Sequence, residues 1–191
     1  EALVGRAQAE FDDVDILVNN DGGPRPGTFT DMTDEDWLSA VNLNLMSTVR
    51  LTRLVLPGMR RKGWGRIINM TSISVKQPMA NIILSNAARS AVVAMAKTLS
   101  QQVAPDGITV NNVCPGTILT DRVRSLAANT AQTQGISEEE ALQGMQADIP
   151  MGRIGRPEEL AALIAFLASE RASYITGATI QVDGGVYRGL L

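Results

Sequence analysis

The chain has 191 residues, 45% of them hydrophobic and 19% charged, with a net charge of −3, which is typical of one folded domain spanning residues 1–191. The weak negative charge and the lack of any apolar run of roughly 20 residues argue against nucleic acid and membranes as partners. With no histidine and one cysteine, the sequence excludes Ser-His-Asp and Cys-His catalytic sets, the common zinc sites and an internal disulfide, and it favours the cytoplasm.

The first third of the chain predicts a helix, a strand and a second helix. The sequence begins at Glu1 inside a helical pattern, in which Leu3, Val4, Ala7 and Phe11 fall on one face. The apolar run Asp15–Asn20 is typical of a buried parallel strand, and the Gly/Pro loop Asp21–Gly27 follows it. Thr33 with Asp36 predicts a capping box for a helix that runs to about Met59.

The rest of the chain continues the alternation of strands and helices. The predicted elements are a strand over Arg66–Met70, a helix over Ile82–Ala104, a strand over Ile108–Val113, a helix from Pro157 to about Ser169 and a strand over Thr179–Val182. An insertion-like segment, Asp121–Ile149, contains one helix capped by Ser137 and Glu140. This alternation predicts a parallel sheet wound by right-handed crossovers.

Polar and glycine-containing segments follow three successive predicted strands. They are Asn19–Gly23, Thr71–Ser74 and Pro115–Thr120. Turns require such residues after any strand, so each segment by itself is uninformative. Parallel strands point their carboxyl ends at one crevice, where α/β proteins bind ligands. The three segments together therefore favour a ligand site.

These segments, in this order and spacing, resemble the short-chain dehydrogenase/reductase family over nearly the whole chain, and its bacterial members related to 3-oxoacyl-carrier-protein reductases in particular. The matching residues are Asn19-Asn20-Asp21-Gly22 for the family's N-N-A-G segment, Asn44 seven residues after Trp37, Ser72 at a strand end, Pro115-Gly116 with Ile118 and Thr120, and Val182-Asp183-Gly184-Gly185. The resemblance implies a Rossmann-like, doubly wound parallel sheet and NAD or NADP as cofactor. It assigns cofactor binding to Asn19, Asn20, Asp21, Gly22, Arg89, Pro115, Gly116, Ile118 and Thr120.

By the same resemblance, Ser72 would bind a substrate carbonyl and Asn44 would hold a proton-relay water. The family's catalytic Tyr and Lys fall at Ser85 and Arg89. A serine hydroxyl is shorter and a much weaker acid than a phenol, and arginine keeps its proton. Proton donation would then come from water, Ser85 or Lys76; a solvated surface lysine is the alternative for Lys76.

Asp21 is a second departure, since the family has a small apolar residue there. Its carboxylate would repel the phosphates of a dinucleotide unless it is paired or faces away. Arg25 is a candidate partner, and a simple turn aspartate is the alternative.

The third departure is the lack of a G-x-G-x-x-G turn between a strand and a helix, which binds the cofactor's pyrophosphate in dinucleotide folds. By resemblance the sheet is truncated to about four later strands of the family, with Asp15–Asn20 as an unpaired edge. We expect the sequence to be a fragment of a longer protein; a genuine short form is the alternative.

Two functions follow. The first is an NAD(P)-dependent oxidoreductase acting on a carbonyl/alcohol pair with a degenerate catalytic tetrad, in which Asp121–Ile149 closes as a lid. The alternative is a non-catalytic binding or assembly module, since both the Tyr and the Gly-rich turn are missing. A hydrolase using Ser72 or Ser85 lacks a base for either serine. The two long helices and the final strand resemble the family's contact surfaces, which implies a homo-oligomer, a dimer or tetramer.

Overall fold

The computed structural model describes residues 2–190. The strands are Ile16–Asn19 (β1), Gly65–Met70 (β2), Ile108–Pro115 (β3) and Thr179–Val182 (β4). The α-helices are Ala2–Phe11 (α1), Asp34–Ala40 (α2), Ser47–Lys62 (α3), Ile83–Val103 (α4), Asp121–Gln134 (α5), Glu138–Gln146 (α6) and Pro157–Ala168 (α7). Glu1, which the sequence predicts to lie inside the first helix, is outside the described residues.

The four strands form one parallel sheet in the order β1-β2-β3-β4, with helices on both faces. This confirms the predicted α/β architecture, a Rossmann-like sheet truncated to four strands. As predicted, β1 lies at the edge, where the side chains of Ile16 and Val18 are 44% and 41% exposed. None of the helices within residues 2–190 is both long and apolar enough to cross a membrane.

The helical region after β1 contains a turn that the sequence pattern did not predict. The capping box at its start is confirmed, because Thr33 N–H donates to Asp36 (2.9 Å) and Asp36 N–H donates to the Thr33 hydroxyl (3.3 Å). Between α2 and α3 the chain forms a π-helix, Val41–Met46, in which Ser47 N–H donates to the carbonyl of Asn42, five residues earlier. Such widened turns often occur at functional sites, and this one carries Asn44.

The segment between β3 and α7 also differs from its prediction. The capped helix is confirmed as α6, with Ser137 N–H donating to Glu140 at 2.8 Å. The preceding residues form α5, which the sequence analysis left without a helix. The two helices pack on each other through the buried side chains of Ala127, Ala131 and Ala141. Alanines give a weak hydrophobic period, which is why this helix was missed.

The sheet separates two apolar cores. On one face Met59 of α3 and Ala96 of α4 pack with Ile67, and on the other Leu167 of α7 packs with Ile68. The strands are parallel and lie in the sheet in their sequence order, so each crossover moves the chain in the same direction across the sheet. Two such crossovers that pass over opposite faces of the sheet therefore have opposite hands. The connection from β3 to β4 through α7 therefore differs in hand from the two before it, and the prediction of uniformly right-handed crossovers is wrong there.

A ladder of side-chain hydrogen bonds, made by three buried asparagines and one threonine, crosses the sheet. Asn19 donates to Asn69 at 2.8 Å, Asn69 donates to Asn112 at 3.0 Å, and Asn112 donates to the hydroxyl of Thr179 at 3.1 Å. These residues are register partners on β1, β2, β3 and β4. The ladder joins all four strands, from the last residue of β1 to the first residue of β4, so it links their positions relative to one another.

Candidate active site

The three polar segments predicted to border a crevice leave the sheet at neighbouring strand ends. The last residue of β1, Asn19, is the register partner of Asn69, and Thr71 N–H donates to the carbonyl of Val113 at 2.8 Å. Gly116 N–H donates to the carbonyl of Val182 at 3.0 Å. The structure therefore brings the segments after β1, β2 and β3 to one edge of the sheet, as the sequence predicts.

The carbonyl oxygen of Gly22 is the meeting point of two predicted site residues. Asn44 Nδ2 donates to it at 2.9 Å, and Arg89 Nη2 donates to it at 3.1 Å. Arg89 Nη1 also donates to the carbonyl of Met70 at 2.8 Å. With 8% of its surface exposed, Arg89 thus fastens the loop after β1 to the end of β2.

Asn44 retains an unused acceptor. Its side chain is buried, and its Oδ1 atom has no hydrogen-bond partner among residues 2–190. The hydroxyl of Thr48 donates to its backbone carbonyl at 2.9 Å, which satisfies that carbonyl inside the widened turn. A buried amide oxygen without a donor is a place where a water molecule or a ligand donor is favoured.

The environment of Asp21 corrects one prediction. Its carboxylate accepts a hydrogen bond from the Ser47 hydroxyl rather than from Arg25. Arg25 instead forms a bidentate pair with Asp36, at 2.8 and 2.7 Å. Arg25 is therefore not the partner of Asp21, because the loop carries it over the start of α2.

The charge around Arg89 comes from both sides of the loop. Burial lowers the pKa of the Arg89 guanidinium; the Asp21 carboxylate opposes this shift and the Arg122 guanidinium adds to it. Arg122, in the first turn of α5, lies against Gly23: a Cβ built there would be 2.7, 2.8 and 2.9 Å from its Nη1, Nη2 and Cζ atoms. No motif in the sequence marks Arg122, although it follows the Thr120-Asp121 pair directly.

Ser72 and Ser85 lie on separate elements, and both are half-buried. Ser72 precedes a short 3₁₀ turn, Ile73–Val75, and its hydroxyl oxygen accepts a hydrogen bond from Ser74 N–H at 3.1 Å. The proton of that hydroxyl is free to be donated elsewhere. Ser85 lies in the first turn of α4, one helical turn before Arg89, and its hydroxyl has no hydrogen-bond partner within residues 2–190.

Lys76 faces the last strand and the C-terminal segment. Its Nζ donates to Gln181 Oε1 at 3.0 Å and lies 5.4 Å from the centre of the Tyr187 ring. Tyr187 N–H donates in turn to Asp183 at 2.8 Å. The ammonium group is thus held by side chains of β4 and the residues after it. The other tyrosine, Tyr174, is fully exposed.

The segment after β3 supports the crevice through its backbone. A Cβ on Gly116 would come within 2.8 Å of the Cα of Asp183, so only glycine fits there. The side chain of Ile118 is buried, and the backbone around it pairs with Gly155, since Leu119 N–H donates to the Gly155 carbonyl at 2.8 Å. Thr120 is exposed and precedes α5.

A cavity of about 330 Å³ borders the turn after Ser72. The residues that line it come from that turn and the loop after it, from the segment after α6 and from the C-terminal segment. They are Ile73, Gln77, Met79, Asp148, Val186 and Arg188. No motif in the sequence marks Asp148, Val186 or Arg188 as site residues. Among residues 2–190, no cluster of cysteine and carboxylate side chains is arranged to hold a metal ion.

Known proteins match this chain over nearly its whole length. The family model described as Enoyl-(Acyl carrier protein) reductase matches residues 1–187. Acetoacetyl-CoA reductase of Rhizobium meliloti is 38% identical over 184 residues, 96% of this chain and 72% of that protein. The 3-oxoacyl-[acyl-carrier-protein] reductase FabG of Salmonella typhimurium is 39% identical over 187 residues, 98% of this chain and 72% of that protein.

Solved structures of reductases have the same fold as this chain. The L-sorbose reductase of Gluconobacter frateurii, complexed with NADPH and L-sorbose, has a TM-score of 0.95 and 37% identity, covering 99% of this chain and 72% of that one. YwfH, an NADPH dependent reductase involved in bacilysin biosynthesis, has a TM-score of 0.93 and 34% identity, with coverage of 99% and 73%. The site geometry, the family model and these relatives together place the chain in the short-chain dehydrogenase/reductase family.

Proposed function

We propose that this chain carries the substrate side of an NAD(P)-dependent oxidoreductase that interconverts a carbonyl and an alcohol, with Ser85 and Arg89 at the family's Tyr and Lys positions. One observation carries the proposal. Asn44 and Arg89 converge on the carbonyl of Gly22, beside the end of the strand that leads to Ser72. The relatives and solved structures named above are described as reductases, two of them with NADPH.

The residues around Gly22 fit the nicotinamide half of a dinucleotide. A Cβ on Gly22 would meet no atom within 4 Å, so the crevice is open beside it. Asn20 and Thr120 are exposed at the same edge, and Arg89 presents a fixed cation there. When bound, the dinucleotide would supply the hydride that reduces the carbonyl carbon.

The chain's own groups would manage the developing oxyanion and its proton. Ser72 has its oxygen held by Ser74 N–H, so its O–H can point at a substrate oxygen and stabilise negative charge there. Arg89 contributes positive charge but gives up no proton. The proton would come from water, held at the unpartnered Oδ1 of Asn44, or from Ser85 or Lys76.

The proposal is tested by following NADPH consumption with acetoacetyl-CoA as the probe carbonyl. Ser72→Ala should lower kcat by about 100-fold, since that is the effect of removing one oxyanion donor. The matched control is Ser90→Ala, which should leave turnover unchanged because Ser90 is exposed on α4. If Ser72→Ala turns over as fast as wild type, Ser72 does not stabilise the oxyanion.

The degenerate tetrad is tested by restoring it. The double variant Ser85→Tyr with Arg89→Lys should raise kcat by about 100-fold or more, because a positioned general acid contributes that much. An unchanged or lower rate in a folded double variant contradicts the idea that these two positions limit proton transfer.

Lys76 as proton donor has its own test. Lys76→Met should abolish carbonyl reduction if this ammonium delivers the proton, and unchanged turnover would end the idea. Gln181→Met is the companion variant, because it removes the hydrogen-bond acceptor of Lys76 and leaves the ammonium in place.

The second candidate is a non-catalytic binding or assembly module. The observation that favours it is that Arg89 is fastened to two backbone carbonyls, a structural use of the cation. Titration with NADH and NADPH, followed by the fluorescence of Trp37 and Trp64, discriminates the two functions. No binding favours the module.

A homo-oligomer stays a prediction. Leu38 and Leu43 of the long helical region are 63% and 37% exposed, which supports a contact surface there. Light scattering on the purified chain gives its mass in solution, and a monomer at micromolar concentration would contradict the prediction.

A further inference from the structure

The cavity beside the turn after Ser72 is lined by distant parts of the chain. On one side is the turn itself, in which Ile73 is buried and its carbonyl accepts a hydrogen bond from Gln77 N–H at 3.0 Å. Asp148, which follows α6, and Arg188 of the C-terminal segment also line the cavity. Its volume of about 330 Å³ is at the lower end of the range for small-molecule sites. A ligand that fills it is therefore small and borders the turn that carries Ser72.

Hydrogen bonds fix the two segments that carry the charged residues of this cavity. Tyr187, directly before Arg188, donates its N–H to the carboxylate of Asp183 at 2.8 Å. Met151 N–H donates to the carbonyl of Gly184 at 3.1 Å, which joins the segment after α6 to the segment after β4. The backbone on this side of the cavity is therefore held in place before any ligand binds.

Asp148 and Arg188 are the charged residues that line the cavity. Within residues 2–190 their side chains form no hydrogen bond and no ion pair, either with each other or with another residue. Both are exposed, so a ligand can reach them from solvent. Ile73, Met79 and Val186 contribute hydrocarbon surface to the same lining. The cavity therefore presents one negative group, one positive group and an apolar surface.

These groups select for the charge of a ligand. A ligand with a carboxylate alone would be attracted by Arg188 and repelled by Asp148, and one with an ammonium group alone would experience the reverse. A ligand that carries both groups satisfies both side chains. The planar guanidinium donates two parallel hydrogen bonds to a carboxylate, and an ammonium group donates charge-assisted hydrogen bonds to a carboxylate.

We propose that this cavity is a specificity site for small ketones that carry both a carboxylate and an ammonium group. Arg188 binds the carboxylate of the ligand, and Asp148 accepts hydrogen bonds from its ammonium group. The fate of the ketone rests on the proposed oxidoreductase function, in which Ser72 binds the carbonyl oxygen. The recognition of charge rests on Asp148 and Arg188 alone.

Three five-carbon methyl ketones serve as probes, because they differ in charge: pentan-2-one is neutral, 4-oxopentanoate is an anion, and 2-amino-4-oxopentanoate carries both charges. NMR titration without cofactor gives the dissociation constant of each ketone. NADPH oxidation gives kcat/KM, since reduction transfers a hydride from NADPH to the carbonyl carbon and a proton to its oxygen, yielding the alcohol. Wild type should bind 2-amino-4-oxopentanoate about tenfold or more tightly than pentan-2-one, because one charge-assisted hydrogen bond accounts for that factor.

Two variants separate the charged groups. Arg188→Gln should weaken the binding of 2-amino-4-oxopentanoate by about tenfold and leave that of pentan-2-one within about twofold. Asp148→Asn should also weaken the binding of 2-amino-4-oxopentanoate, but it should strengthen the binding of 4-oxopentanoate, because a repelling carboxylate is removed. A merely structural role would not change the two affinities in opposite directions. The matched controls are Arg171→Gln and Asp34→Asn, since both residues are exposed and neither lines this cavity; all affinities should stay within about twofold of wild type.

The outcomes separate this inference from the proposed function. If wild type binds the three ketones equally or binds none of them, or if Arg188→Gln and Asp148→Asn bind 2-amino-4-oxopentanoate as tightly as wild type, the specificity site is overturned. If the affinities follow the expected pattern but no ketone causes NADPH oxidation, the specificity site stands and the oxidoreductase function fails. If all three ketones are reduced with equal kcat/KM, the function survives and the specificity site is overturned.

Discussion

Asn44 and Arg89 lie on different helical elements, yet both donate hydrogen bonds to the same carbonyl oxygen, that of Gly22, at 2.9 and 3.1 Å. The widened turn that carries Asn44 and the long helix that carries Arg89 are thereby held to one point of the loop after β1. Arg89 also reaches the carbonyl of Met70 at 2.8 Å. The site is thus organised by a backbone group that no sequence motif names.

Arg89 should be important for stability as well as for binding. Arg89→Met removes two charge-assisted hydrogen bonds and leaves the Met70 carbonyl unpaired, so the free energy of unfolding in urea should fall by about 3 kcal/mol. Arg89→Lys should lose less, because it keeps the charge but not the fixed pair of donors. The control is Arg53→Met on the exposed side of α3, with an expected change within about 0.5 kcal/mol. Equal values for the two methionine variants would contradict this role.

The amide ladder should behave as one unit. Asn69→Ala leaves the Asn19 amide nitrogen without its acceptor and the Asn112 amide oxygen without its donor, so it should lower the free energy of unfolding by about 3 kcal/mol. Thr179→Val removes only the last acceptor and should cost about 1 kcal/mol. Urea unfolding measures both. A loss below about 1 kcal/mol for Asn69→Ala would show that the strands hold their register without the ladder.

Two glycines should respond in opposite directions to alanine. A Cβ on Gly116 would lie 2.8 Å from the Cα of Asp183, so Gly116→Ala must push the segment after β3 away from the one after β4 and should cost about 1–3 kcal/mol. Gly144, inside α6, has no neighbour within 4 Å of a built Cβ. Gly144→Ala should therefore stabilise by about 0.5–1 kcal/mol. Thermal unfolding of the two variants compares them; a shift of the same sign in both would be inconsistent with this packing.

Acid should weaken the start of α7 through Glu159. Hydrogen bonds from the Arg153 side chain, and next from Arg156 N–H, lower the pKa of Glu159 from 4.5 to about 2. Because the folded pKa is the lower one, its contribution to stability is complete above pH 4.5 and is lost as the pH falls toward 2. Glu159→Gln should show a shallower loss of stability over this range.

The comparison for that experiment is Glu158→Gln, whose side chain is exposed in the same turn. Its stability should fall with acid as steeply as that of wild type. Parallel pH profiles for wild type and Glu159→Gln would show that the ion pair with Arg153 contributes nothing measurable.

The sequence by itself determined the local structure and the position of the crevice. Apolar runs and capping pairs such as Thr33 with Asp36 specify strands and helices through residues three or four positions apart. Parallel strands then bring the segments after Asn19, Met70 and Val113 to one edge. These features depend on short-range geometry, so the order of residues is enough to predict them.

Only the tertiary structure decided which side chains meet. It placed Asp21 against Ser47 instead of Arg25, fastened Arg89 to Gly22, and carried α7 to the face opposite α4. Each of these outcomes joins residues 20 or more positions apart, where several partners of suitable chemistry compete. The path of the whole chain decides which partner makes the contact, because a hydrogen bond or ion pair forms only where the packed backbone brings its two groups within about 3 Å.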